Sequence, residues 1–260
     1  MVDGIFNLKL EDTSAAVATV GDEHNDANLD KPLPAVSTIR VEDNNSVNLH
    51  ESPPDSNVVY FIVTASVYKK GAIRKEQYKR GILSLIRSLS DTNIAYKIII
   101  VENNGERPTF LDDFGVDVLY TKNNFIQTNN KGVKELRDVH DCIEKYNITD
   151  DSFVVKMTGR YILERDSPFI TQIKFRSVLV DCIVRFGSYM SPKDTQSEDC
   201  ITGLIGMRCK FIKEIEYPVG NEVVEWKWAK KTYDIPLANI IAMDRLGIAI
   251  CPGSNTYFSV

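Results

Sequence analysis

Two short runs of apolar, largely β-branched residues set the frame, Val58 to Ala65 and Ala95 to Val101. A strand with one wet face alternates polar and apolar side chains, whereas a strand covered on both faces reads as a near-continuous apolar run. These runs therefore belong inside a sheet with helices on both sides. Between them, from Ile73 to Leu89, residues Tyr78, Ile82, Leu85, Ile86 and Leu89 recur at helical spacing. The pattern then repeats. Val116 to Tyr120 is a third strand, a helix runs from about Asn130 to Tyr146 with Val133, Leu136, Val139, His140 and Ile143 on one stripe, and Phe153 to Met157 is a fourth strand. Strands alternating with helices predict βαβ units and a mainly parallel sheet.

Charge divides the chain. Residues 1–57 hold 11 acidic and 3 basic side chains and a single aromatic, Phe6, while residues 58–260 hold 25 acidic and 28 basic. The first segment buries too little apolar surface to offset its ordering entropy, so it is expected to be an acidic, mostly disordered tail ending in the linker His50 to Ser56. Ile5 to Leu10 and Thr38 to Val41 are its candidates for short strands. The net charge of −5 argues against a broad nucleic-acid surface. No apolar run approaches the ~20 residues of a membrane span, and the N-terminus lacks a signal-peptide layout. Five scattered cysteines fit reduced thiols, which together with the missing anchor gives a cytoplasmic expectation.

Ligands of parallel α/β sheets bind beyond the carboxyl ends of the strands. Polar residues gather there: Thr64 and Ser66 after the first strand, Glu102 and Asn103 after the second, then Asn123-Asn124 and Asn129-Asn-Lys-Gly132 at a helix start. Asn130 suits an N-cap and Lys131 adds charge, a combination fit for a diphosphate, although asparagine-rich turns also cap helices with no ligand at all. Neither a P-loop nor a G-x-G-x-x-G is present, which argues against an ATPase or a dinucleotide enzyme.

The order of these motifs resembles nucleotide-sugar glycosyltransferases of the GT-A fold. Residues 153–161 resemble a Lys-x-Thr-Gly-Arg-Tyr pattern, in place of Asp-x-Asp, of a subset of microbial and large-virus glycosyltransferases. The resemblance spans about residues 58–165. It implies a Rossmann-like single domain over 58–260, Glu102 against the nucleoside of a UDP-, GDP- or TDP-sugar, and a glycan or glycoconjugate acceptor. Thr158, Gly159 and Arg160 stand where carboxylates would hold a divalent metal. Arginine binds phosphate oxygens bidentately, so Arg160, Lys156 or both are expected to serve the diphosphate without Mn²⁺ or Mg²⁺, a metal held through Glu164 or Asp166 being the alternative. Arg160 also suits an ordinary ion pair, and strand alternation could turn Lys156 away from the site.

The second half is expected to receive the acceptor. Ser177 to Phe186 and Asp199 to Met207 read as strands, Lys210 to Ile215 as a short helix, Gly220 to Lys231 as a helix, and Ala238 to Val260 as one or two strands. The loop Gly187 to Asp199 could line the acceptor. An inverting transferase needs a carboxylate to take the acceptor hydroxyl's proton. Glu225 and Glu222, three apart on one helical face, are the candidates, with Asp199 in reserve. Trp226 and Trp228 could stack on a sugar or pack in the core. Two other readings stay open: a nucleotidyltransferase, for which Gly71 to Lys75 faintly echoes a glycine-rich basic loop, and a catalytically silent sugar- or nucleotide-binding module.

Overall fold

A computed structural model of the chain describes residues 58–67, 71–189, 197–251 and 256–260. The expected tail, its two candidate strands and part of the Gly187–Asp199 loop lie outside the described residues. The rest is α/β, built on a seven-stranded sheet whose order is β3-β2-β1-β4-β7-β6-β8. The strands are β1 (Val59–Ala65), β2 (Tyr96–Glu102), β3 (Asp117–Tyr120), β4 (Phe153–Thr158), β6 (Cys182–Val184), β7 (Leu204–Arg208) and β8 (Ile240–Ala242). β1 to β4 pair in parallel. β7 runs against both neighbours, and β6 and β8 again pair in parallel. The sheet is mainly parallel, as the apolar runs predict. A second, three-stranded sheet joins β5 (Ile162–Leu163), β9 (Ile248–Ile250) and β10 (Phe258–Ser259) in the order β10-β9-β5.

Alternation along each central strand sends its side chains into two cores. On one face Phe61, Val63, Ile98, Ile100, Val155 and Met157 meet Tyr78, Ile82, Leu85 and Leu89 of α1 (Ala72–Ser90) and Phe169 and Ile173 of α3 (Pro168–Arg176). On the other Ile62, Ile99, Val101, Val154 and Ile205 meet Leu136, Val139 and Ile143 of α2 (Lys131–Lys145), Ile212 of α4 (Cys209–Lys213) and Trp228 of α5 (Val224–Tyr233). Trp228 is thus core, whereas Trp226 is exposed. All five cysteines are free and buried. Among the described residues no helix is long and apolar enough to cross a membrane.

Three expectations fail locally. The run Ser177 to Phe186 is a strand only over Cys182–Val184; Ser177 closes α3, and Val178 and Leu179 stand more than half exposed in the turn that follows. Apolar character there reflects no buried strand. The last helix begins at Val224, not Gly220. Glu222 lies ahead of it in a turn, where its carboxylate accepts from Val219 N at 2.7 Å and pairs with Lys227 at 2.8 Å, so Glu222 and Glu225 share no helical face. The final segment supplies three strands instead of one or two.

One close approach positions the site. A Cβ on Gly81 of α1 would stand 2.3 Å from Gly159 O and 2.6 Å from Tyr161 O. A Cβ on Gly159 would meet Val63 Cγ1 at 2.9 Å. The two glycines let α1 press the turn after β4 onto the end of β1, where Gly159 N donates to Thr64 O at 2.9 Å.

Candidate active site

The carboxyl ends of β1, β2 and β4 open onto a cleft of about 420 Å³. Thr64 lies at the end of β1 and Ser66 just after it, Asn103 follows β2, and Thr158 ends β4 with Arg160 just beyond. α1 contributes Arg74 and Tyr78, and α2 contributes Lys131, Lys134, Glu135 and Asp138. A second cleft of about 460 Å³ shares Glu135, Thr158 and Arg160 with the first and continues past Tyr161 and Thr202 to Asp199 and Glu225. Ser188 and Tyr189, from the loop expected to face the acceptor, line it too. The two halves form one groove with a seam at Glu135, Thr158 and Arg160.

The ends of the groove differ in charge. In the first half Arg74, Lys131 and Arg160 make no ion pair among the described residues, and Lys134 donates to Asn124 O at 2.7 Å. Arg160 lies over the Tyr161 ring at 5.3 Å. The second half is acidic. Burial pushes the Glu225 carboxyl above its ordinary range, and Thr202 Oγ1 touches its Oε1 at 3.4 Å. Burial raises Asp199 as well, against the opposing Cys200 N–H, and its Oδ1 is buried with no hydrogen-bond partner among the described residues.

Lys156 is a buried cation, 1% exposed, on the α2 side of β4. Its Nζ lies 2.7 Å from Glu135 Oε1, donates to Thr202 O at 2.7 Å and to Thr158 Oγ1 at 3.1 Å. With its protons so placed, it lines neither half of the groove, which removes it as a direct diphosphate ligand. Glu102 is likewise spent inside the protein. Fully buried, it accepts from Val67 N at 2.8 Å, from Arg107 at 3.0 Å and from Asn104 Nδ2, tying the segment after β1 to that after β2. It does not reach the groove, so a nucleoside contact from Glu102 has no geometric basis. Asn130 caps α2 by accepting from Gly132 N and Val133 N, and its Nδ2 holds Glu222 O at 2.8 Å. Those amides are therefore taken, and Asn130 serves the fold. Gly159 serves the close packing described above.

Thr64, Ser66, Asn103, Lys131, Thr158 and Arg160 are brought together as the sequence suggests, and Glu225 and Asp199 meet in the second half. Arg74, Tyr78, Lys134, Glu135 and Asp138 escape sequence reasoning. Lys131, Glu135 and Asp138 recur at helical spacing on α2 beside its apolar stripe, and that recurrence is the signal that could have found them. Asp138 is fully buried and accepts from Asn103 Nδ2, Thr121 Oγ1 and Asn123 Nδ2; burial still pushes it up to about 7. At the end of β4 the donor set is a hydroxyl, a glycine and a guanidinium. Among the described residues no group of three His, Cys, Asp or Glu is arranged to hold a metal ion. These residues do not fit a divalent cation at that place.

No family model and no curated protein matches the sequence. Among solved structures the chain is similar to the mannosyltransferase PcManGT from Pyrobaculum calidifontis, in complex with GDP-Man and Mn²⁺, at 8% identity and a TM-score of 0.46, over 74% of this chain and 57% of that one. It thus spans less than two thirds of that protein's length. It is also similar to a glycosyltransferase involved in the glycosylation of the major capsid of PBCV-1, at 11% identity and a TM-score of 0.40, over 72% of this chain and 81% of that one. A third is a CMP:2-keto-3-deoxy-manno-octonic acid synthetase complexed with CTP, at 10% identity and a TM-score of 0.42, over 71% of this chain and 88% of that one. At such identities the likeness concerns the path of the chain, not its chemistry.

Proposed function

We propose that the chain is a glycosyltransferase that moves a hexosyl or pentosyl group from a UDP-, GDP- or TDP-sugar to a hydroxyl of a glycan or glycoconjugate, without a divalent cation. The observation that carries this reading is the single groove with unlike ends. Arg74, Lys131 and Arg160 have no carboxylate partners among the described residues and would face the diphosphate, with Lys134 beside them. Fixed cations of this kind stabilise the charge that grows on a leaving diphosphate. Glu225 lies across the seam from them. Its raised proton affinity suits it to take the acceptor's proton as the acceptor oxygen bonds to the anomeric carbon. The bond from that carbon to the diphosphate breaks with its electron pair on the phosphate. Asp199 stands in reserve for the same task, and Ser66 and Asn103 line the half of the groove that would take the nucleoside.

A nucleotidyltransferase is the second reading, favoured by Arg74, which carries the Gly71–Lys75 segment to the phosphate end of the groove. One experiment separates these. The full chain is melted with UDP, GDP, TDP and CMP, each with Mn²⁺ or EDTA, and then incubated with the matching sugar nucleotides or with a nucleoside triphosphate plus sugar phosphate. A ligand that binds the folded state alone raises the melting temperature. A shift with one diphosphate that persists in EDTA, and release of that nucleoside diphosphate, support the transferase. Release of pyrophosphate moves the assignment to nucleotidyl transfer. A shift without turnover leaves a binding module, and a shift that requires Mn²⁺ overturns the metal-free reading.

A further inference from the structure

Glu135 occupies the seam and lines both halves of the groove. Its Oε1 is fully engaged, by Lys156 Nζ at 2.7 Å, Thr64 Oγ1 at 2.7 Å and Thr158 Oγ1 at 3.3 Å. Its Oε2 makes no hydrogen bond among the described residues, and the side chain keeps 28% of its surface exposed. The three holders come from the ends of β1 and β4, so the carboxylate cannot swing. Burying an ammonium such as that of Lys156 is costly unless it is well paired, and a pair of this kind is weak evidence for stability by itself. Here the ammonium fixes one carboxylate that lines the groove, with one oxygen tied down and the other without a hydrogen bond among the described residues.

Burial alone would raise the proton affinity of Glu135, but the charge of Lys156 and the bonds from Lys156, Thr64 and Thr158 bring it below the ordinary carboxylate range. Glu225, across the same seam, is driven the other way. Two carboxylates pushed apart in this manner divide the work, one staying ionised and the other carrying protons.

We propose that Glu135 is a catalytic residue, with its Oε2 against the anomeric carbon of the bound donor, where it stabilises the positive charge of the transition state. This rests on the glycosyl-transfer reading of the groove. As the bond to the diphosphate breaks, its electron pair leaves on the phosphate, and the anomeric carbon and ring oxygen become cationic. That charge is absent from the bound substrate, so a fixed anion facing it raises kcat more than affinity. The acceptor oxygen then forms the new bond and its proton passes to Glu225.

The test compares E135Q and the double variant E135Q/K156M with the wild type, reading kcat, donor KM and melting temperature. E135Q keeps an acceptor for Lys156 and removes the charge. The double variant leaves no unpaired buried ion and controls for folding. Both are expected to lose about 100-fold or more in kcat, with donor KM within about threefold. A double variant that folds and keeps kcat within about threefold of wild type overturns the assignment, as does a loss lying wholly in KM. A wild type that releases no nucleoside diphosphate from any sugar nucleotide refutes the transferase reading together with this assignment. An active wild type with an equally active E135Q refutes this assignment alone.

Discussion

Replacing Asp138 by asparagine should alter how stability depends on pH. Asp138 is fully buried on α2, and its proton affinity rises from 3.8 to about 7, through burial first and then the repulsion of Glu135, despite three hydrogen bonds that pull it down. In the unfolded chain it titrates near 3.8. Between those values the folded protein holds a proton that the unfolded chain has released, so stability falls as pH rises. The contribution is complete below the unfolded value and gone once pH passes the folded one. The shift corresponds to roughly 4 kcal/mol over the whole window. D138N has no such proton. Its amide faces at least one donor with a donor, a cost that does not vary with pH. Urea unfolding of both proteins at pH 5, 6, 7 and 8 reads the difference. The stability gap should move by about 2 kcal/mol in favour of D138N from pH 5 to 7, and by less than about half of that from 7 to 8. Parallel curves would refute the reasoning. They would mean that Asn103, Thr121 and Asn123 keep Asp138 ionised, and that the diphosphate half of the groove carries one more negative charge at neutrality.

Other outcomes follow from the same geometry. Gly81→Ala drives a Cβ onto backbone oxygens of Gly159 and Tyr161, so it should destabilise by about 1–3 kcal/mol and weaken nucleotide binding by displacing Arg160, as melting curves and titration calorimetry would read. Arg160→Ala should lower affinity for the preferred nucleoside diphosphate about tenfold or more while leaving the melting temperature almost unchanged, since Arg160 makes no ion pair among the described residues. Turnover should rise with pH as Glu225 ionises, with a midpoint above that of an ordinary glutamate; E225Q should abolish that limb and reduce kcat about 100-fold or more. An acid limb that survives in E225Q would transfer the base to Asp199.

The sheet was legible because strands buried on both faces cannot hide their apolar character. β1, β2 and β4 stand within a residue or two of where Val58–Ala65, Ala95–Val101 and Phe153–Met157 place them. The second half reads less well. Val178 and Leu179 carry strand-like side chains into an exposed turn, and nothing local tells an apolar turn from an apolar strand. The site divides along the same line. Residues at strand ends, such as Ser66 and Arg160, are legible because topology alone brings strand ends together. Glu102 and Asn130 have the right chemistry at the right place, yet their hydrogen-bonding capacity is used by Arg107, Val67, Gly132 and Glu222, partners that no one-dimensional pattern names. Lys156 and Glu135 are 21 residues apart in sequence and meet only because α2 lies over β4.

The five buried thiols make the folded state a slow reagent. Burial raises Cys182 to about 12 and Cys209 to about 11, so neither supplies thiolate at neutral pH while the protein is closed. Alkylation must then wait for an opening of the covering element, and each site times a different one. Cys142 reports α2 leaving the sheet, Cys182 the β6 strand parting from β7 and β8, Cys209 the start of α4, and Cys200 the wall of the groove beside Glu225. Read one cysteine at a time by mass spectrometry, the labelling rates would rank the parts of the fold by how often they come apart. A bound nucleotide should slow the clock most at the elements that grip it.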